Sequence, residues 1–258
     1  MSDTKVKSKQ SKTSSEEASF WPERVDLAAA FRWAARFDMH EAVGNHFSLS
    51  VNDDGSKFLM NPNLSHFELI RASDLVLVDA NDKSLLGQSD VLDATAWGLH
   101  GSLHRRCPHI RCAFHLHPTY STALASLADS RLPPIDQNSM AFYDRVIIDE
   151  NYGGIALEEE GERCAAMLND PKIQVMVMGN HGILVVGSSV NETFTRLYYF
   201  ERAVRNYILA ISSGKPLRIV SDEIATKTAN GIEKYFKTFN FLAKLRLILD
   251  KEGSDYAT

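Results

Sequence analysis

Two histidines two residues apart, His115 and His117, stand in the run Ile110-Arg-Cys-Ala-Phe-His-Leu-His-Pro118. Five of these nine residues are apolar and a proline closes the run, so it reads as a buried strand. Alternate side chains of a strand share a face. Both imidazoles therefore point one way with Ala113, while Phe114 and Leu116 point the other. The two histidines sit about 7 Å apart along the strand, close enough to converge on one metal ion. Taken alone, the pair is equally readable as two histidines held by ordinary hydrogen bonds.

A third histidine changes that balance. His181 lies in Gly179-Asn-His-Gly182, a bend between the apolar runs Gln174–Met178 and Gly182–Val186. Its glycines would let the backbone turn sharply. The bland alternative is a turn histidine capping a carbonyl. Together His115, His117 and His181 offer three imidazoles, which leave at least one coordination position open, the pattern of a catalytic zinc. A hard cation such as Mg2+ would call for carboxylates instead. The expected cofactor is a divalent metal, Zn2+ first and Fe2+ as the alternative, since imidazole discriminates weakly among such ions.

The elements that must position these residues follow from periodicity. Leu27, Phe31 and Ala34 or Ala35 predict a helix over Pro22–Phe37. His46–Val51 alternates like a strand, Asn52-Asp-Asp-Gly55 is a turn signal, and Lys57–Met60 returns. Val76–Asp79 is a further strand. Asp90–Arg105 is helical, with Asp90 and Asp93 at the positive end of its dipole. After the His-x-His strand come a short helix over Thr119–Ala128, a strand over Val146–Ile148 and a helix over Glu158–Leu168. Asn191–Ser212 is a long amphipathic helix, and at least one more helix covers roughly Asp222–Leu249. Residues 1–19 are polar and low in complexity, and read as a flexible tail. The core is expected over 20–213, with a C-terminal helical extension over 214–258.

Composition excludes several classes of function. The chain has 258 residues, 44% hydrophobic and 24% charged, with a net charge of −5. It carries no basic field for nucleic acid or anionic membrane and no apolar run long enough to span a bilayer. Three cysteines, Cys107, Cys112 and Cys164, have no zinc-knuckle or Cys-x-x-Cys spacing. An odd, sparse count suits a reducing compartment, and the expected location is cytoplasmic.

Beyond this point the sequence resembles the class II aldolase/adducin family. The matching residues are Gly44-Asn45-x-x-Ser48, then Asn61-Pro62 leading to Ser73-Asp-Leu-Val-Leu-Val-Asp79. They continue with His100, the run Arg106–His117 and Asn180-His181-Gly182, covering roughly residues 25–212. The resemblance implies an α/β fold, a three-layer αβα arrangement with a central, mostly antiparallel sheet flanked by helices. It implies a divalent metal held at His115, His117 and His181, a small-molecule substrate, and a homotetramer with active sites near subunit interfaces.

The chain also departs from that pattern. Where the family's sugar-phosphate aldolases carry a catalytic glutamate, this sequence has Ala96, preceded by Ala94 and Thr95 in place of paired serines. The family's phosphate loop becomes Asn61-Pro62-Asn63-Leu64. A phosphorylated substrate is therefore not expected. Candidates for the lost proton-transfer group are His100, one helical turn from Ala96, Asp93, one turn the other way, and Tyr143. The bland readings are a supporting histidine, a helix N-terminal charge and a loop phenol. Asn45, His46 and Asn61 are the candidate substrate-binding residues, and Arg111 or Arg145 could hold a substrate carboxylate. Glu201 is expected in a buried ion pair or subunit contact. His40, His66, His104 and His109 are expected to face solvent.

The leading expectation is a metal-dependent lyase-type enzyme. Its reaction would be aldol cleavage, decarboxylation or epimerisation next to a carbonyl, on a non-phosphorylated hydroxy-carbonyl or carboxylate substrate. The alternatives are a non-haem iron oxygenase on the same scaffold and a non-catalytic assembly module like the adducin head.

Overall fold

A computed structural model describes residues 20–88, 91–151 and 158–258. The expected tail over 1–19 and Asp90 lie outside the described residues. Seven strands form one sheet: β1 (His46–Ser50), β2 (Lys57–Met60), β3 (Val76–Asp79), β4 (Cys112–Leu116), β5 (Val146–Asp149), β6 (Val175–Met178) and β7 (Gly182–Gly187). Their order is β3-β2-β1-β4-β7-β6-β5, so the His-x-His strand β4 is the middle one. Every neighbouring pair is antiparallel except β5 with β6. That parallel pair is bridged by a crossover containing helix Glu158–Met167, as parallel pairing requires.

Two layers of helix cover the sheet. On one face lie α1 (Trp21–Arg36), α6 (Val190–Ile211) and α8 (Phe241–Lys251). On the other lie α2 (Ala94–Arg106) and α5 (Glu158–Met167). Between them in sequence come the short α3 (Thr119–Ala125) and α4 (Gln137–Ala141), with α7 (Asp222–Thr238) near the C-terminus. The period of two in β4 sorts its residues between these layers. Cys112, Phe114 and Leu116 join the cluster under α1 and α6, while Ala113 joins the cluster under α2 and α5.

Behind β4 the rings of Phe31, Phe47 and Phe114 stack, with centroids 4.5 Å and 3.9 Å apart in that order. All three are fully buried. Truncating any one to alanine would cost about 3–5 kcal/mol, so the strand carrying the histidines has a rigid backing.

The C-terminal region adds detail to the sequence reading. The helical stretch expected over Asp222–Leu249 is two helices, because Phe239 leaves helical geometry and Asn240 caps the next helix by accepting from the Ala243 N–H. The core also extends past residue 212: Leu242, Leu245, Leu249 and Tyr256 are buried in the same cluster as Phe31 and Phe114. Among the described residues no helix is long and apolar enough to cross a membrane.

Candidate metal centre

His115, His117 and His181 come together at one end of the sheet. Each offers a ligand atom, and these atoms all lie within 4.8 Å of one another. The ring centroids are 4.7–4.9 Å apart. His115 belongs to β4, His117 follows its last residue, and His181 ends the turn between β6 and β7. The turn works differently from the glycine argument above. Asn180 takes the left-handed conformation, at φ 57°, while Gly182 gives clearance. A Cβ on Gly182 would lie 2.4 Å from the His117 ring and 2.7 Å from the Leu116 carbonyl oxygen.

Hydrogen bonds fix which ring nitrogens face inward. The Ile183 carbonyl accepts from His115 Nδ1 at 3.1 Å. A carbonyl has no proton to give, so in the neutral ring Nε2 carries the lone pair. The Glu41 carboxylate accepts from His117 Nδ1, which leaves His117 Nε2 in the same condition. These two Nε2 atoms are 3.1 Å apart. Two lone pairs facing each other repel unless a cation lies between them, so the donor set fits a metal ion. Outer partners of this kind set tautomer and ring orientation at metal sites. Burial disfavours charge on the rings. It holds His181 down at about 4, with His117 adding to the effect, and pushes His115 well below its ordinary value.

The other predicted residues take more varied places. His46 is the Cα partner of His115 across β1 and β4, with ring centroids 4.8 Å apart. Burial holds it at about 4 against the pull of Asp93. His100 does not open on the site. It is fully buried and both ring nitrogens are occupied, one by His46 Nδ1 at 2.7 Å and the other by the Ser48 hydroxyl. Asp93 is the N-cap of α2, its Oδ1 accepting from the Thr95 and Ala96 amides at 2.7 and 3.0 Å. Burial opposes its charge, but those hydrogen bonds and nearby His46 outweigh it and lower the carboxyl. The Tyr143 phenol hydrogen-bonds Asp222 at the start of α7, which raises its pKa. Among the described contacts it has none with the histidine cluster.

Asn45 and Asn61 order the neighbouring loop. Asn61 Oδ1 accepts from the Phe47 amide and its Nδ2 donates to the Asn45 carbonyl. Asn45 Oδ1 accepts from the Glu41 amide at 2.6 Å. The two asparagines thus hold the segment that presents Glu41 to His117. Glu41 was not visible as a site residue in the sequence. It lies 76 positions from its partner, between the helix expected over Pro22–Phe37 and the strand expected over His46–Val51.

Several expectations are corrected here. His104 does not face solvent. It is 1% exposed, with Nε2 on the Ser48 hydroxyl and Nδ1 on the Ile110 carbonyl. His40 and His66 are half-buried and contact each other, and His109 donates to the Leu168 carbonyl. Glu201 is buried, as expected, and its partners among the described residues are hydrogen-bond donors. It accepts from the Tyr120 and Ser121 amides and the Ser121 hydroxyl, tethering α3 just after His117. Arg145 is held by Glu233 and Asn230, and Arg111 donates to the Ser50 carbonyl, so neither is placed at the site.

Comparison with known proteins agrees with this architecture. The Class II Aldolase and Adducin N-terminal domain matches residues 25–208. A crystal structure of an aldolase II superfamily protein from Pseudomonas syringae superposes with a TM-score of 0.78. It is 31% identical and covers 92% of this chain and 96% of its own. The decarboxylase NovR of Streptomyces niveus is 25% identical over 234 residues, 90% of this chain and 85% of that one. A 4-hydroxy-3-prenylphenylpyruvate oxygenase/4-hydroxy-3-prenylbenzoate synthase of Streptomyces roseochromogenus is 26% identical over 167 residues, 64% of this chain and 59% of that one.

Proposed function

The chain belongs to the class II aldolase and adducin N-terminal domain family, and from that premise we propose that it is a metal-dependent lyase-type enzyme. It breaks a C–C or C–H bond next to a carbonyl in a non-phosphorylated hydroxy-carbonyl or carboxylate substrate. The observation that carries this reading is the pair of Nε2 atoms 3.1 Å apart, each on a ring whose Nδ1 is already committed to an acceptor.

His115, His117 and His181 would hold the cation, with Zn2+ the first candidate and Fe2+ the second. A divalent cation there would supply Lewis-acid stabilisation of negative charge developing on an oxygen beside the breaking bond. The three ligands are neutral, so they leave its full charge available for that task. Glu41 orients His117, and the Ile183 carbonyl orients His115. The reading favours a substrate without phosphate because Asn61, in the eroded phosphate loop, spends its amide on Phe47 and Asn45. Aldol cleavage, decarboxylation and epimerisation all need this same charge stabilisation. The homotetramer and the cytoplasmic location belong to the same reading, the latter because Cys107, Cys112 and Cys164 are buried and unpaired.

A non-haem iron oxygenase is the second reading. It is favoured by the lack of a carboxylate in the three-histidine group, which leaves more positions for dioxygen and substrate together.

The test is to load the protein with zinc or with Fe2+ and assay it against 2-hydroxy acids, 3-hydroxy acids and hydroxy-ketones. Carbonyl or carbon dioxide release with zinc supports the lyase. Oxygen uptake with Fe2+ alone supports the oxygenase. Neither, in protein shown to be loaded, overturns both.

A further inference from the structure

A chain of buried hydrogen bonds runs from the backbone at the far end of α2 to the edge of the histidine cluster. The Ile110 carbonyl contacts His104 Nδ1 at 3.1 Å. His104 Nε2 is 2.7 Å from the Ser48 hydroxyl, which also meets His100 Nδ1. His100 Nε2 is 2.7 Å from His46 Nδ1. Ser48, His100 and His104 are at most 1% exposed, and His46, at 8%, is the most exposed of the four. Among the described residues no carboxylate hydrogen-bonds to any of the three rings, and Asp93 acts on His46 through space alone.

Such a chain has only one direction when its rings are neutral. The carbonyl can only accept, so His104 carries its proton on Nδ1 and offers a lone pair at Nε2. The Ser48 hydroxyl must donate there, and its oxygen then accepts from His100 Nδ1–H. His100 Nε2 is left as an acceptor, so His46 donates from Nδ1. The other edge of the His46 ring carries Nε2, bare of hydrogen. His46 shares a sheet face with His115 and lies opposite it in register.

We infer that the Ile110 carbonyl, acting through His104, Ser48 and His100, locks His46 as a hydrogen-bond acceptor at the edge of the metal centre. His46 thereby selects substrates that present a hydroxyl there over their oxo counterparts. An oxo group would place its lone pairs against the lone pair of Nε2, whereas a hydroxyl donates into it. His46 is the residue that touches substrate. Ser48, His100 and His104 are positioning residues. The inference rests on the function proposed above for the choice of ligand, but not for the direction of the chain.

Two measurements test it. Long-range 1H–15N spectra of the imidazoles in the intact, metal-free protein should show His46, His100 and His104 all protonated on Nδ1. A proton on His46 Nε2 would overturn the inference whether or not metal binds. The second measurement is calorimetric binding of lactate and pyruvate to the zinc-loaded protein. The hydroxy acid should bind about tenfold tighter, the worth of one well-made hydrogen bond against an unmade one. In Ser48→Ala the ratio should fall toward one, with zinc stoichiometry and the His115 signals unchanged, and Ser48→Thr should restore it. Equal affinities in the wild-type protein, or a preference that survives Ser48→Ala, would overturn the selection with the metal reading intact. If zinc fails to bind, the metal reading falls by itself, and the imidazole spectrum still decides whether His46 is locked.

Discussion

His115 and His117 meet through their Nε2 atoms at 3.1 Å while their Nδ1 atoms are tied to the Ile183 carbonyl and the Glu41 carboxylate. With the proton of each neutral ring on Nδ1, both Nε2 atoms carry lone pairs that repel unless a cation lies between them. The contact therefore fits a cation, and it depends on the residues that hold the two rings in place.

Glu41 is the acceptor that turns His117 inward, and its own side chain is largely exposed. Glu41→Gln keeps an acceptor oxygen but removes the charge. It should lower zinc affinity about tenfold, toward the lower end of the effect of such outer partners, and leave the thermal midpoint of the metal-free protein unchanged. Competition titration against a chelator reads the first and calorimetry the second. Unchanged zinc affinity would show that Glu41 does not orient the ligand.

Gly182 gives the His117 ring its place. A methyl there would lie 2.4 Å from the ring and 2.7 Å from a backbone oxygen, so Gly182→Ala must displace one of them. Zinc affinity should fall about 10–100-fold, as when a metal ligand loses its orienting partner. An affinity equal to wild type in the same chelator competition would contradict the geometry.

Burial holds His104 at about 4, against an ordinary value of 6.5. Its folded value is the lower one, so between these values the unfolded chain binds more protons. The contribution is complete above 6.5 and is lost as pH falls toward 4. For His104 alone the loss between pH 7 and pH 5 is roughly 2 kcal/mol, and His46, also held at about 4, works in the same direction. Urea unfolding of the metal-free protein at the two pH values should show a clear drop in midpoint. Coincident curves would mean that the rings are not kept neutral by the fold.

The geometry of the candidate site is partly legible in the sequence. The His-x-His strand, its facing pattern and the third histidine at a bend all follow from a period of two and one turn signal, and β4 falls where that pattern placed it. Hydrogen-bond partners distant in sequence were not legible. Glu41, the Ile183 carbonyl and the Ile110 carbonyl lie far from the rings they bind or come from backbone, which has no sequence signature. His104 was misread because it precedes Arg105 and Arg106 at a polar helix end. Ser48 is a polar residue on a strand that is buried throughout, and such a residue needs a polar partner buried beside it. The break between α7 and α8 was hidden because the apolar pattern continues through Phe239 and Phe241.

The most direct measurement is the metal content of the untagged protein beside His115→Ala and His117→Ala, after zinc or iron is offered under reducing conditions. The account predicts about one ion per chain in the wild type, lost in both variants, with each variant still folded by circular dichroism. A wild-type protein that takes up no ion, or variants that keep it, would contradict the centre and leave the chain an assembly module on an aldolase scaffold.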